Sequence, residues 1–160
     1  MRKFEVVQRF AKSKEEVNLP FRATKNAAGY DFEAVVDIEI PSIHATKVVE
    51  GTENLPEPTI LNVGLKPTLI PTGIKAAMED DESLDLYNRS SNPKLQLYLA
   101  NGVGVVDSDY YGNDGNDGEI MFPFINIGNE SITIKKGTRI GQGVFRKFLK
   151  TDDDIPGGNR

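Results

Sequence analysis

The chain is patterned as short apolar runs separated by turn residues. Runs at 4–10, 35–40, 47–49, 60–63, 69–70, 84–87, 95–99, 103–106, 120–127, 131–134 and 139–149 are rich in β-branched and aromatic residues. Pro41, Pro56, Pro58, Pro67, Pro71, Gly51, Gly64 and Gly73 punctuate them. Helical periodicity is almost absent, so the pattern predicts an all-β sandwich or barrel. One short helix is expected after Ser90, where Asn92-Pro93 can open it. The stretch 17–24 reads as irregular and leads into Ala28-Gly29-Tyr30-Asp31-Phe32.

Turn chemistry adds detail. Gly112-Asn113-Asp114 is followed at once by Gly115-Asn116-Asp117 and then Gly118-Glu119. Asn-Gly and Asp-Gly pairs favour tight turns, which predicts an extended hairpin tip over 112–118. The acidic run Met78-Glu79-Asp80-Asp81-Glu82-Ser83 reads as a solvated turn. No linker divides the chain, so 1–150 is expected to form one domain, and 151–160, acidic and then glycine-rich, a loose tail.

Composition then narrows the chemistry. The 160 residues contain no cysteine, which removes disulfides, thiol nucleophiles and thiolate zinc sites. His44 is the single histidine, so a multi-histidine metal centre is excluded and a serine–histidine–acid triad would depend on it. No apolar run resembles a signal peptide or reaches membrane-spanning length, and a cytoplasmic protein without a membrane partner is expected. The net charge of −5 argues against wrapping a nucleic-acid backbone, which needs a basic footprint. It still allows a small polyanion, given local cations and a divalent metal.

Three stretches carry candidate chemistry. In the first, Asn101-Gly102-Val103-Gly104-Val105-Val106 forms a glycine-containing strand ending at Asp107, with Tyr110 three positions on. Glycine in a strand marks close approach by a ligand or backbone. An EF-hand reading of this acidic stretch fails, because its fifth position is Tyr111 and its twelfth Gly118. In the second, Asn88-Arg89-Ser90-Ser91 sets a guanidinium beside two hydroxyls, suited to phosphate. The third is Gly137-Thr138-Arg139-Ile140-Gly141-Gln142, a turn into a strand, with Gln142 as a further phosphate donor.

Taken in order, these pieces resemble the trimeric deoxyuridine triphosphate nucleotidohydrolases (dUTPases), over about 20–148. Residues 28–32 are similar to the first family motif, 88–91 to the second, 101–110 with Gly112 to the third, and 137–142 to the fourth. Residues 69–74 match the strand before the second. The resemblance implies a jelly-roll-like dUTPase fold (β-clip), assembled as a homotrimer with active sites at subunit interfaces. It implies Mg2+-dependent hydrolysis of dUTP to dUMP and pyrophosphate. Asp107 would activate water at the α-phosphorus and hold the sugar 3′-hydroxyl, and Tyr110 would stack on the deoxyribose. Asn101, Gly102 and the backbone to Val106 would read uracil. Arg89, Ser90, Ser91 and Gln142 would contact phosphate, and Asp31 would meet the metal's water shell.

Those roles agree with the chemistry of the residues. A strand backbone can meet uracil's acceptor–donor–acceptor edge, whereas cytosine would leave buried groups unpaired at about 1–3 kcal/mol each. A tyrosine face on the ribose leaves no room for a 2′-hydroxyl. Ionised aspartate can accept a proton from water.

Three departures from the family pattern stand out. The 112–118 stretch is longer, 89–101 is slightly short, and the glycine-rich arm that closes over substrate is not reached by Gly157-Gly158-Asn159-Arg160. The expectation for this form is therefore dUTP binding with slow turnover. A dCTP deaminase is the nearest alternative, but its catalytic glutamate has no counterpart in Met121-Phe122-Pro123-Phe124-Ile125-Asn126. The other alternative is a non-catalytic trimeric binding or regulatory module, whose protein partner the sequence does not reveal.

Overall fold

The computed structural model describes residues 1–13, 16–51 and 57–158. Pro56, Asn159 and Arg160, cited above, lie outside the described residues. The described chain is built almost wholly of short strands: β1 (Lys3–Val6), β2 (Tyr30–Glu33), β3 (Ile38–Ile40), β4 (Thr46–Val49), β5 (Thr59–Asn62), β6 (Thr68–Pro71), β7 (Ile74–Ala77), β8 (Glu82–Asn88), β9 (Leu97–Leu99), β10 (Gly104–Asp107), β11 (Met121–Asn126), β12 (Ile132–Ile134) and β13 (Arg139–Lys147). The all-β expectation holds.

Two sheets position the site. One has the order β10-β8-β13-β2 and the other β6-β11-β9, both antiparallel. Their apolar faces meet over Phe32, Leu84, Ile70, Phe122 and Phe124, all nearly inaccessible to water. Alternation is clearest in β11, where Phe122, Phe124 and Asn126 point inward. Asn126 is fully buried yet satisfied: its Nδ2 donates to the Glu130 carbonyl at 2.7 Å and its Oδ1 accepts from Gly128 N at 2.9 Å.

Close packing explains Gly141. A Cβ there would lie 2.0 Å from Cε1 of Phe122, in the middle of the core. Gly141→Ala is therefore expected to lower stability by about 1–3 kcal/mol or more, the usual cost of overpacking. Thermal unfolding checks this, and an unchanged Tm would mean that the Phe122 ring can move aside.

Several expectations are corrected. The strand over 4–10 stops at Val6, and Gln8–Ala11 forms a single helical turn, α1. Tertiary bonds cause the break: Val7 N donates to the Gly73 carbonyl and Gln8 N to the Asp117 carboxylate. The run 35–40 is a strand only at Ile38–Ile40, because Val35 N bonds to the Pro71 carbonyl in an irregular crossing. β7, which lacks alternation, pairs with β1. The helix after Ser90 is present as one 3-10 turn, Asn92–Leu95, with Pro93 in its first turn. Gln96 follows in a left-handed conformation (φ 58°), so the expected strand over 95–99 begins only at Leu97.

The acidic run is not wholly solvated. Glu82 starts β8 fully buried, held by the Arg2 guanidinium, which keeps its carboxyl below the usual carboxylate range. The 112–118 stretch is not a hairpin tip either. β10 and β11 belong to different sheets, so it is a loop crossing between layers.

Candidate functional site

Two clusters gather the candidate residues. The first lies where β8 ends. Asn88 Oδ1 accepts from Arg89 N at 2.9 Å and from Asn92 Nδ2 at 2.7 Å, and Asn92 Nδ2 also donates to the Ile140 carbonyl at 2.7 Å. These bonds curl Arg89-Ser90-Ser91 into a turn with both serines exposed.

Arg89 points toward β2 and β13. Its Nη1 donates to the Arg139 carbonyl at 3.1 Å and its Nε lies 3.6 Å from Asp31 Oδ1. Arg139 binds the other oxygen of the same carboxylate at 3.0 Å. Asp31 faces Gln142 across the β2–β13 ladder, and Gln142 Nε2 donates to the Asn88 carbonyl at 3.4 Å. Gly29 packs close to this amide: a Cβ there would sit 2.5 Å from Gln142 Oε1 and push that side chain aside. Arg89, Ser90, Ser91, Gln142 and Asp31 are thus brought together. Two cations against one carboxylate leave an excess of positive charge, which suits a phosphate chain.

The second cluster lies along β10, an edge strand of its sheet. An edge strand keeps a row of backbone donors and acceptors without ladder partners, which is what a planar base edge can pair with. Gly102, at φ 69°, makes the tight turn into β10, its N–H donating to the Leu99 carbonyl. Asn101, Gly104, Val106 and Tyr110 line one open groove of about 510 Å³ between this edge and Leu69 and Pro123 of the other sheet. Asp107 ends the strand, exposed, and opens the 3-10 turn Ser108–Tyr110. That turn sets Tyr110, half-buried against the core, in the groove wall. The Tyr110 hydroxyl donates to the Glu119 carbonyl at 3.3 Å and accepts from Asn116 Nδ2 at 2.8 Å.

The loop behind Tyr110 is tied to the N-terminal segment. Asp117 accepts from Lys75 Nζ at 2.8 Å and from Gln8 N at 2.8 Å, which hold its carboxyl below the usual range. Tyr111 donates to the Glu5 carboxylate, and that bond, more than its burial, raises its phenol. Glu119 is buried against Arg9, at 2.7 Å from both Nε and Nη2, and accepts from Gly73 N at 3.0 Å. Motif spacing assigns no role to Arg139 or Asn116, and to Glu119 only a place in the acidic stretch that fails as an EF-hand loop. Arg139 sits inside a motif already noted and Asn116 bonds only within 110–119, whereas the partners of the Glu119 carboxylate, Arg9 and Gly73, are far along the chain.

The two clusters do not meet in one chain. Asp107 pairs across the ladder with Ser83, while Arg89 follows Asn88 at the far end of β8. Six residues of extended strand separate the two ends, roughly 20 Å. Among the described residues no group of three or more His, Asp or Glu could by itself hold a metal ion.

Comparison with known proteins agrees with this architecture. The dUTPase family model matches residues 54–155. The deoxyuridine 5′-triphosphate nucleotidohydrolase of Lactococcus lactis is 39% identical over 155 residues, covering 96% of this chain and 87% of the relative. That of Leptospira interrogans is 33% identical over 145 residues, covering 90% and 82%. The crystal structure of dUTPase from Streptococcus mutans superposes with a TM-score of 0.73 at 36% identity, over 93% of this chain and 98% of that one. The dUTPase of phage phi11 of Staphylococcus aureus shares the fold at 13% identity, with a TM-score of 0.67 over 99% and 97%. The motif order, the strand framework that carries it and these matches converge on one family: the chain belongs to the dUTPases.

Proposed function

We propose that this protein carries out its family's reaction, hydrolysis of dUTP to dUMP and pyrophosphate, in a homotrimer whose active sites are shared between subunits. One observation carries the composite site. An acid that activates water must lie within about 3 Å of it, and phosphate donors must touch the same triphosphate. Asp107 and Arg89 of one chain stand at opposite ends of β8, too far apart to serve one substrate. A ring of copies brings the β10 groove of one subunit to the Arg89 corner of the next.

In that site the β10 edge and Asn101 read the uracil. The Tyr110 ring lies against the sugar, where a 2′-hydroxyl would collide. Asp107 takes a proton from water as the water oxygen bonds to the α-phosphorus. The bond to the α–β bridging oxygen breaks, and pyrophosphate leaves with its electron pair. Arg89, Ser90, Ser91 and Gln142 of the neighbouring subunit hold the phosphate oxygens while charge builds there.

The residues present fit a magnesium ion that arrives on the triphosphate. Such an ion keeps most of its waters and needs only one or two carboxylates beside the phosphates, and Asp31 stands at the Arg89 corner to supply one. Asp31 would reach its water shell while directing the two arginines. When bound, Mg2+ withdraws charge from the phosphorus under attack.

The experiment is incubation with dUTP, UTP and dCTP plus Mg2+, with pyrophosphate and ammonia measured separately. Pyrophosphate from dUTP alone is expected, and ammonia from dCTP would sink the reading. Shared sites have their own test. Asp107→Asn and Arg89→Ala subunits should each be inactive alone but regain activity when unfolded and reassembled together. About one site in four then combines the two intact halves. No recovery in mixed trimers would place both halves in one subunit.

A further inference from the structure

We propose that Asn116, in the 112–118 loop, is a positioning residue that sets the preference for deoxyribonucleotide over ribonucleotide by fixing the Tyr110 ring. The inference rests on the functional reading above, in which that ring lies against the sugar.

The loop is built from its own side-chain amides. Asn113 Oδ1 accepts from Gly115 N at 2.9 Å and Asn116 N at 3.1 Å, while its Nδ2 donates to the Tyr110 carbonyl at 2.8 Å and to Asn116 Oδ1 at 3.0 Å. Asn116 Oδ1 also accepts from Gly118 N at 3.1 Å. Both oxygens are thus committed within the loop, which settles the direction of the Asn116 amide. Its Nδ2 is left to donate outward, to the Tyr110 hydroxyl at 2.8 Å and the Glu119 carbonyl at 3.2 Å.

The frame behind it is anchored. Asp117, the next residue, is clamped by Lys75 and Gln8 N, and Glu119 by Arg9 and Gly73 N. Asn116 therefore ties the tip of the tyrosine to a rigid support rather than to a free loop. Excluding a 2′-hydroxyl demands that rigidity. A ring that can rock about its Cβ gives way to one extra oxygen, while a ring held at its far end does not. Asn116 also lines the same groove as Tyr110.

The test is a cycle of Asn116→Ala, Tyr110→Phe and the double variant, each assayed for kcat/KM with dUTP and with UTP. Wild type should favour dUTP. Each single change should narrow the dUTP/UTP ratio about fivefold to tenfold, as expected for one lost hydrogen bond, and the double no further than either single. A role confined to loop folding would instead act equally in both backgrounds, and multiplicative effects would overturn the proposal. So would an unchanged ratio in folded Asn116→Ala. Should that variant not fold, Tyr110→Phe, which keeps the amide bonds within the loop but also gives up the hydroxyl's donation to the Glu119 carbonyl, sets the upper limit of the Asn116 effect, and an unchanged ratio there overturns the proposal. A wild type indifferent to the 2′-hydroxyl would instead defeat the sugar-contact reading itself.

Discussion

Asp107→Asn is expected to keep the fold and much of the dUTP affinity while kcat falls roughly 10²-fold or more, the usual loss when a general base is removed. The grounds are local. Asp107 is the exposed last residue of β10, outside the apolar core, and asparagine has nearly its shape. What asparagine lacks is the capacity to take a proton from water. Single-turnover kinetics with binding measured separately would check this. Near-normal turnover in the variant would remove Asp107 from the mechanism and leave it a structural place, ending β10 and opening the 3-10 turn Ser108–Tyr110.

Glu119→Ala is expected to cost about 2–4 kcal/mol of stability. Its removal leaves the buried Gly73 N–H without an acceptor, at about 1–3 kcal/mol, and empties space in the core. The lost attraction to Arg9 adds less than a wholly buried pair would, because the Arg9 side chain is 53% exposed and can turn to water. Glu119→Gln keeps an acceptor and the volume and should cost clearly less. The comparison of the two by denaturant unfolding is the measurement. Equal losses would mean that charge pairing, rather than the Gly73 bond, holds this corner.

Some of the site was legible before folding because its parts are neighbours along the chain. Gly102, Gly104, Asp107 and Tyr110 fall within one strand and one turn, and Arg89-Ser90-Ser91 within another. Short-range spacing alone sets which side chains emerge together there. The pairing of Glu119 with Arg9 spans 110 residues, and that of Asp31 with Arg139 spans 108. Neither leaves a trace in periodicity. The same blindness produced the strand predicted to continue to Phe10. β-forming composition favoured it, but bonds from Val7 and Gln8 to distant residues turned the chain instead.

What the sequence by itself determined was the all-β character, the short helical turn after Ser90 and the identity of the chemically equipped stretches. Each depends on local preference: β-branched alternation, proline geometry, and which functional groups a few adjacent residues carry. The tertiary structure alone decided that β10 is a sheet edge, that 112–118 crosses between layers instead of closing a hairpin, and that Asp107 and Arg89 stand at opposite ends of β8. Strand partnership is a choice among many segments of similar propensity. It is settled only when all of them compete at once for the same buried faces and the same backbone hydrogen bonds.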